Sequence, residues 1–235
     1  GLVLVTHDVN PMQIMKNNDL LMLFDKNLFG AYVPFWLQSA SNPLEGLVRA
    51  LSPLLIFIYT NLDTMLGAFF FLLLYQNGLE FFRACAAFMI SVGIGLLFWF
   101  FFPALSPLEG YIHTMVPVIE RNEITEALRE FNPAPSVQAF TASVGAAQSA
   151  YKTDFFPITT MPSMHIAWCS LLLFFSLRRP LSRLVMIPFF LLTVLATLVT
   201  LQHYAVDIPA GILVALAAAY ISLWAVREPP RAISV

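Results

Sequence analysis

The run ACAAFMISVGIGLLFWFFF, residues 84–102, decides the class of fold. It carries no charged residue, and at about 1.5 Å per residue it spans about 28 Å as a helix. That matches the roughly 30 Å hydrocarbon layer of a bilayer. Working outward, similar apolar runs cover 54–75, 184–201 and 208–226, with a shorter one at 163–177. Composition agrees: 59% of residues are hydrophobic and only 11% charged, with mean hydropathy +0.77. Soluble domains carry about 25% charged residues, so this chain could not cover a soluble surface. Disorder is excluded on the same figures. A nucleic-acid partner is excluded too, because 12 Lys and Arg against 14 Asp and Glu leave no basic footprint. A β-barrel would need short alternating segments instead. The expected fold is an all-α polytopic transmembrane helical bundle.

The chain reads as one membrane domain over 1–235. Residues 6–52 are expected to form interfacial segments, 104–162 a long exoplasmic region, and 163–226 the spans that carry chemistry. Leu20-Leu21-Met22-Leu23-Phe24 is too short to span and is flanked by polar residues, which reads as an interfacial helix. Residues 76–83 read as a polar connection, and 124–131 as a surface helix stopped by Asn132-Pro133-Ala134-Pro135. Asn61 and Asp63 fall inside the first span, where a carboxylate is costly unless paired or functional. Cys85 and Cys169 sit in apolar runs and read as small hydrophobes. Arg83, Arg178, Arg179, Arg183, Arg227 and Arg231 all fall on one side of this layout, which should be cytoplasmic.

Three ionisable residues then converge on the opposite, exoplasmic (periplasmic or lumenal) face of a plasma or inner membrane. His165 heads the short span in Met161-Pro162-Ser163-Met164-His165. His203 follows the next span, and Asp207 opens the last. A span that starts late leaves its N-terminus in a sunken pocket. Ser163 is placed to cap it, and the free N–H groups behind Ser163, beginning at Met164, form an anion site. A neutral histidine is a competent nucleophile toward phosphorus. An aspartate on its Nδ1–H fixes the tautomer, and a second histidine can protonate a leaving oxygen. The chemistry suggested is phosphoryl transfer.

Pro162-Ser163-Met164-His165, followed by His203-x-x-x-Asp207 and Gly211, resembles the type 2 phosphatidic acid phosphatase superfamily. The matching motifs cover about residues 160–226. The resemblance implies a six-helix core, of which five complete spans are visible; Gly1–Val5 reads as the end of a first span cut away. It assigns His203 as the nucleophile that becomes phosphohistidine, Asp207 as its partner and His165 as the acid. It implies metal-independent turnover of a lipid substrate within the membrane, with no cofactor.

Departures from the pattern are informative. Met164 replaces the motif glycine. The serine–arginine pair expected before the nucleophile falls at Ala196-Thr197, and the early Lys…Arg-Pro element is replaced by Phe102-Pro103-Ala104-Leu105-Ser106-Pro107. This looser pattern is similar to the branch containing inositol phosphorylceramide synthases, which moves an activated headgroup phosphate to a lipid hydroxyl. A monoester carries nearly two negative charges and a diester one, so a site short of cations suits a diester. Lys152 is the preferred replacement cation, with Arg121 and Arg129 behind it. Ser163, Met164 and Lys152 are therefore the expected substrate-binding residues, and the acceptor is an alcohol or water. Two other readings use the same residues: a metal site ligated by His165, His203 and Asp207, and a proton relay in a transporter.

Overall fold

The computed structural model describes residues 11–113, 127–150, 160–177 and 180–227. Gly1–Val5, Arg121, Lys152, Arg178, Arg179 and Arg231 lie outside the described residues, so the expectations placed on them find no counterpart here. The described α-helices include α1 (Pro11–Phe29), α2 (Val33–Trp36), α3 (Glu45–Thr60), α4 (Leu62–Gln76), α5 (Gly78–Phe101), α6 (Pro135–Ala150), α7 (Met164–Ser176), α8 (Pro180–Val199) and α9 (Asp207–Ala225), with a π-helical turn at Glu109–His113.

By length and composition, α5, α8 and α9 can each cross a bilayer, and α3 with α4 counts as a fourth span bent by 56°. The expected fifth crossing is α7, which has 13 residues. It is about 20 Å long, too short for the hydrocarbon layer on its own. The expected straight span at 54–75 is corrected by the bend at Asn61, which lies between α3 and α4. The Asn61 amide Nδ2 donates to the Phe57 carbonyl at 2.9 Å, sharing it with the Asn61 N–H at 3.1 Å, so the side chain closes the last turn of α3. Asp63 is exposed and accepts the Thr64 N–H at 2.8 Å, so it fills no interior role.

Two other boundaries differ from expectation. The polar stretch 78–83 belongs to α5, because the Asn77 side chain caps it by accepting the N–H groups of Leu79 and Glu80. Arg83, one turn further on, pairs with Glu80 at 3.1 Å. The region 104–162 contains α6, starting at Pro135. Asn132-Pro133-Ala134-Pro135 therefore starts a helix as well as stopping one, since proline suits the first helical turn.

Packing explains the arrangement. In lipid there is no hydrophobic drive between helices, so small residues bring backbones close. The buried face of α5 is Ala84, Ala87, Ser91 and Gly95. That of α9 includes Gly211, Ala215, Ala218, Ala219 and Ser222. These helices pack on each other, and α9 also packs on α7. The outer faces are apolar and exposed, with Phe71, Phe101, Leu181, Tyr220 and Trp224 each more than 60% accessible. Such a band is expected of a surface that meets lipid chains.

α1 runs well beyond the short interfacial helix expected at 20–24, and it is docked on the protein. Leu21 and Met22 are fully buried against Leu108, Leu201 and Tyr204. Asn17 Nδ2 donates to the Pro103 carbonyl at 2.8 Å, and Asn18 Oδ1 accepts the Leu105 N–H at 2.8 Å. The stretch 102–107 is thereby fixed by α1 at one end of the bundle. At the other end, Arg83 Nε donates to the Val226 carbonyl at 3.0 Å.

Candidate active site

His203 is placed by the way α8 ends. Leu201 adopts φ 57°, the left-handed region. Its N–H bonds the Leu198 carbonyl at 3.1 Å, and the Gln202 N–H bonds the Thr197 carbonyl at 3.2 Å. This is a Schellman stop with leucine where glycine is usual. The left-handed conformation costs about 1–2 kcal/mol. Full burial of the Leu201 side chain among Leu21, Leu108 and Tyr204 offsets it. The chain turns sharply, and His203 follows immediately, only 4% exposed.

Asp207, completely buried, stands behind His203. Its Oδ2 accepts the Thr160 hydroxyl at 2.8 Å and the Tyr204 N–H at 3.0 Å, and lies 3.3 Å from His203 Nδ1. The Thr160 carbonyl lies closer to Nδ1, at 2.9 Å. A carbonyl cannot donate, so Nδ1 carries the proton and shares it between the two oxygens. In the neutral ring Nε2 is then the unprotonated nitrogen. Thr160 thus contacts both His203 and Asp207, and nothing in the sequence spacing pointed to it.

Ser163 caps α7 as expected, its Oγ accepting the Ile166 N–H at 3.3 Å. The Ser163 N–H reaches the Asp207 carbonyl at 3.4 Å, tying the starts of α7 and α9 together. Gly211 permits this approach. A Cβ there would stand 2.5 Å from the Ser163 carbonyl oxygen and 3.1 Å from Ile166 Cβ. Met164, in place of the motif glycine, sends its thioether toward Gly95 of α5. A Cβ at Gly95 would meet Met164 Sδ at 2.6 Å, so the glycine on the neighbouring helix leaves the room that Met164 needs.

His165 lies one residue further on. Its ring stacks on Tyr59 at 4.2 Å between centroids, and lies 5.8 Å from the His203 ring. Both histidines line a cavity of about 180 Å³, whose other walls are Tyr59, Trp99, Ser106, Glu109, Thr160, Met164, Trp168 and Gln202. The indole Nε1 atoms of Trp99 and Trp168 are buried with no hydrogen-bond partner among the described residues. The cavity therefore brings together His203, His165 and Met164, with Asp207 behind and the Ser163 cap beside it. No Lys or Arg is among the described lining residues. Arg129 is exposed and is not one of them. Ala196 and Thr197 are buried inside α8, so no cation enters from the place of the missing pair. Among the described residues, no group of three His, Cys, Asp or Glu is spaced to hold a metal ion.

A carboxylate from α1 supports the turn between His203 and Asp207. Asp25 is fully buried and accepts the N–H groups of Ala205 and Val206, each at 2.9 Å. Burial pushes its carboxyl up to about 7, against the lowering effect of these two bonds; the nearby Asp207 carboxylate adds to the rise. Asp25 is 180 residues from Ala205 in sequence, and no local signal could have found it.

Residues 31–221 match the PAP2 superfamily, and the chain belongs to it. Membership supports a phosphatase-type enzyme, and the apolar helices fit an integral membrane protein. No curated protein and no solved structure matches the chain.

Proposed function

We propose that this protein moves the phosphoryl headgroup of a phosphodiester lipid to an alcohol acceptor through a phosphohistidine at His203. The observation that carries the reading is the double hold on His203 Nδ1 by the Thr160 carbonyl and Asp207, which leaves Nε2 as the lone-pair nitrogen. In the first step Nε2 attacks phosphorus. The N–P bond forms as the bond to the glyceride oxygen breaks, and His165 gives that oxygen a proton. In the second step the acceptor hydroxyl attacks phosphorus, the N–P electrons return to Nε2, and His165 takes the acceptor's proton. A bound phosphate anion favours the protonated form of His165.

The described cavity supports a singly charged substrate. No Lys or Arg is among its described lining residues, and the backbone N–H groups at the start of α7 are neutral donors for an anion. Arg83 and Arg227 lie at the far end of the bundle from His203, so the positive-inside rule gives the site an exoplasmic face. The lipid enters sideways between spans.

The test is a parallel assay of purified protein on phosphatidic acid and phosphodiester lipids, with and without an added lipid alcohol, read by mass spectrometry of products. Faster turnover of diesters, with headgroup recovered on the alcohol, is expected. Much faster turnover of phosphatidic acid would make the protein a monoester phosphatase and overturn the proposal.

A further inference from the structure

We propose that Tyr59 is a positioning residue for the proton transfer, holding the His165 ring by its face and stabilising the imidazolium when that ring carries the proton. The inference rests on the reading above that His165 serves as acid and base, and it assigns the residue that fits His165 for that work.

The two histidines of the site are held in different ways. His203 is fixed by hydrogen bonding, with Nδ1 between the Thr160 carbonyl at 2.9 Å and Asp207 Oδ2 at 3.3 Å. Among the described residues, no hydrogen bond reaches the His165 ring. What it has instead is Tyr59, with the two rings 4.2 Å apart between centroids and their planes within 14° of parallel. His203 and Trp168 stand further off, at 5.8 and 6.4 Å, and neither is parallel to it. Rotation of a histidine ring about its own bond to Cβ is soft, so the face of Tyr59 is what sets the plane of His165. That plane decides where the ring nitrogens point. A proton passes to a leaving oxygen only when nitrogen and oxygen come within hydrogen-bond reach.

Tyr59 is itself braced. It is the last residue but one of α3, whose Leu55 and Ile58 are buried. Phe140 of α6 meets it edge to face at 6.1 Å. α6 is tied to α3 by the hydrogen bond between the Ser52 and Ser136 hydroxyls, and Arg49 Nη2 donates to the Asn132 carbonyl just ahead of α6 at 3.1 Å. The ring that orients His165 is thus held by two helices. Stacking has a second consequence. An aromatic face attracts a cation within about 6 Å of its centroid, and the His165 imidazolium would lie well inside that range. The contact favours the ring in the form that protonates the leaving oxygen in the first step and that arises again when it takes the acceptor's proton in the second.

The experiment compares the lipid turned over fastest in the product assay with its counterpart in which p-nitrophenol replaces diacylglycerol, so that only the leaving oxygen changes. Nitrophenolate departs without a proton. kcat/KM is measured on both substrates for wild type, His165→Gln, Tyr59→Leu and Tyr59→Phe, and the ratio of the two values within one preparation does not depend on how much of the protein is folded. His165→Gln should lose at least about 100-fold on the lipid and far less on the nitrophenyl ester. Tyr59→Leu should lose at least about tenfold on the lipid and no more than about threefold on the nitrophenyl ester. Tyr59→Phe keeps the aromatic face and should keep the wild-type ratio. Phe140→Leu, which removes the ring bracing Tyr59, should move the ratio in the same direction as Tyr59→Leu, and it supplies the test where Tyr59→Leu does not fold. With the ratio changed in His165→Gln, an unchanged ratio in Tyr59→Leu, or a Tyr59→Phe protein as impaired as Tyr59→Leu, overturns the inference and leaves the acid role of His165 standing. An unchanged ratio in His165→Gln overturns that role and the inference with it.

Discussion

Gly211→Ala puts the sharpest demand on the site geometry, because the added carbon would collide with backbone. The new Cβ would stand 2.5 Å from the Ser163 carbonyl oxygen, and ordinary contact begins at about 3.4 Å. The starts of α7 and α9 must separate by the difference, about 0.9 Å. No rotamer of alanine avoids this, and the opposing atom belongs to the residue that caps α7. The stability cost expected of such overpacking is about 1–3 kcal/mol. The functional cost is larger. α7 carries His165 while the start of α9 carries Asp207, so the separation pulls the two sides of the site apart. A misplacement of about 1 Å costs about 100-fold in rate where the reacting groups must be aligned. The assay is kcat on the preferred lipid, alongside the thermal unfolding midpoint in the same detergent. Gly93→Ala is the comparison, since a Cβ at Gly93 in α5 meets nothing within 4 Å. Gly93→Ala should keep wild-type kcat while Gly211→Ala loses about two orders of magnitude. A folded Gly211→Ala protein within threefold of wild type would refute the argument that this close approach sets the site.

Asp25→Asn should slow turnover about tenfold by loosening the 204–206 turn, since a bond to a charged acceptor contributes about 1.5–3 kcal/mol. It should also change the stability profile. The folded carboxyl titrates near 7 against an ordinary 3.8, so the folded state holds the proton more tightly. Wild-type stability therefore falls as pH rises between about 4 and 7, and that contribution is absent in Asp25→Asn; melting curves across this range check the sign. Asp207 and Tyr204, the ionisable groups beside it on the turn, are present in both proteins. Gly95→Ala should destabilise wild type by about 1 kcal/mol by displacing the Met164 thioether, and be near neutral in a Met164→Gly background. Unfolding midpoints of the four proteins in that cycle measure the coupling, and strictly additive effects would contradict the contact.

The sequence was most legible where a signal is local. An uncharged run long enough to cross lipid marks α5, α8 and α9 whatever their neighbours do. Pro162-Ser163-Met164-His165 and His203-x-x-x-Asp207 place a cap, two rings and a carboxylate at helix ends, and the structure brings these together. Periodicity could not show that 54–75 is broken, because Asn61 interrupts a run that is apolar on both sides. Nor could it show that α1 docks on the protein: the Asn17, Asn18 and Asp25 contacts join residues more than 80 positions apart. Thr160, Tyr59, Trp99 and Glu109 reach the cavity from four separate places in the chain. Each looks ordinary in its own stretch, and only the packing of the helices on one another, α3 on α8 as well as α5, α7 and α9 together, gathers them. Met164 is instructive in the same way. It departs from the family motif, and its compensation lies at Gly95 on another helix.

The central claim is the covalent step at His203. The most direct measurement quenches the enzyme in alkali during turnover of the preferred lipid, conditions that preserve phosphohistidine, and reads the peptide containing residue 203 by mass spectrometry. The account predicts a phosphoryl adduct of the headgroup's mass on His203, chased away by added alcohol acceptor and absent in His203→Ala, which should also be inactive. Steady turnover by folded His203→Ala, or an adduct on another residue with none on His203, would contradict it.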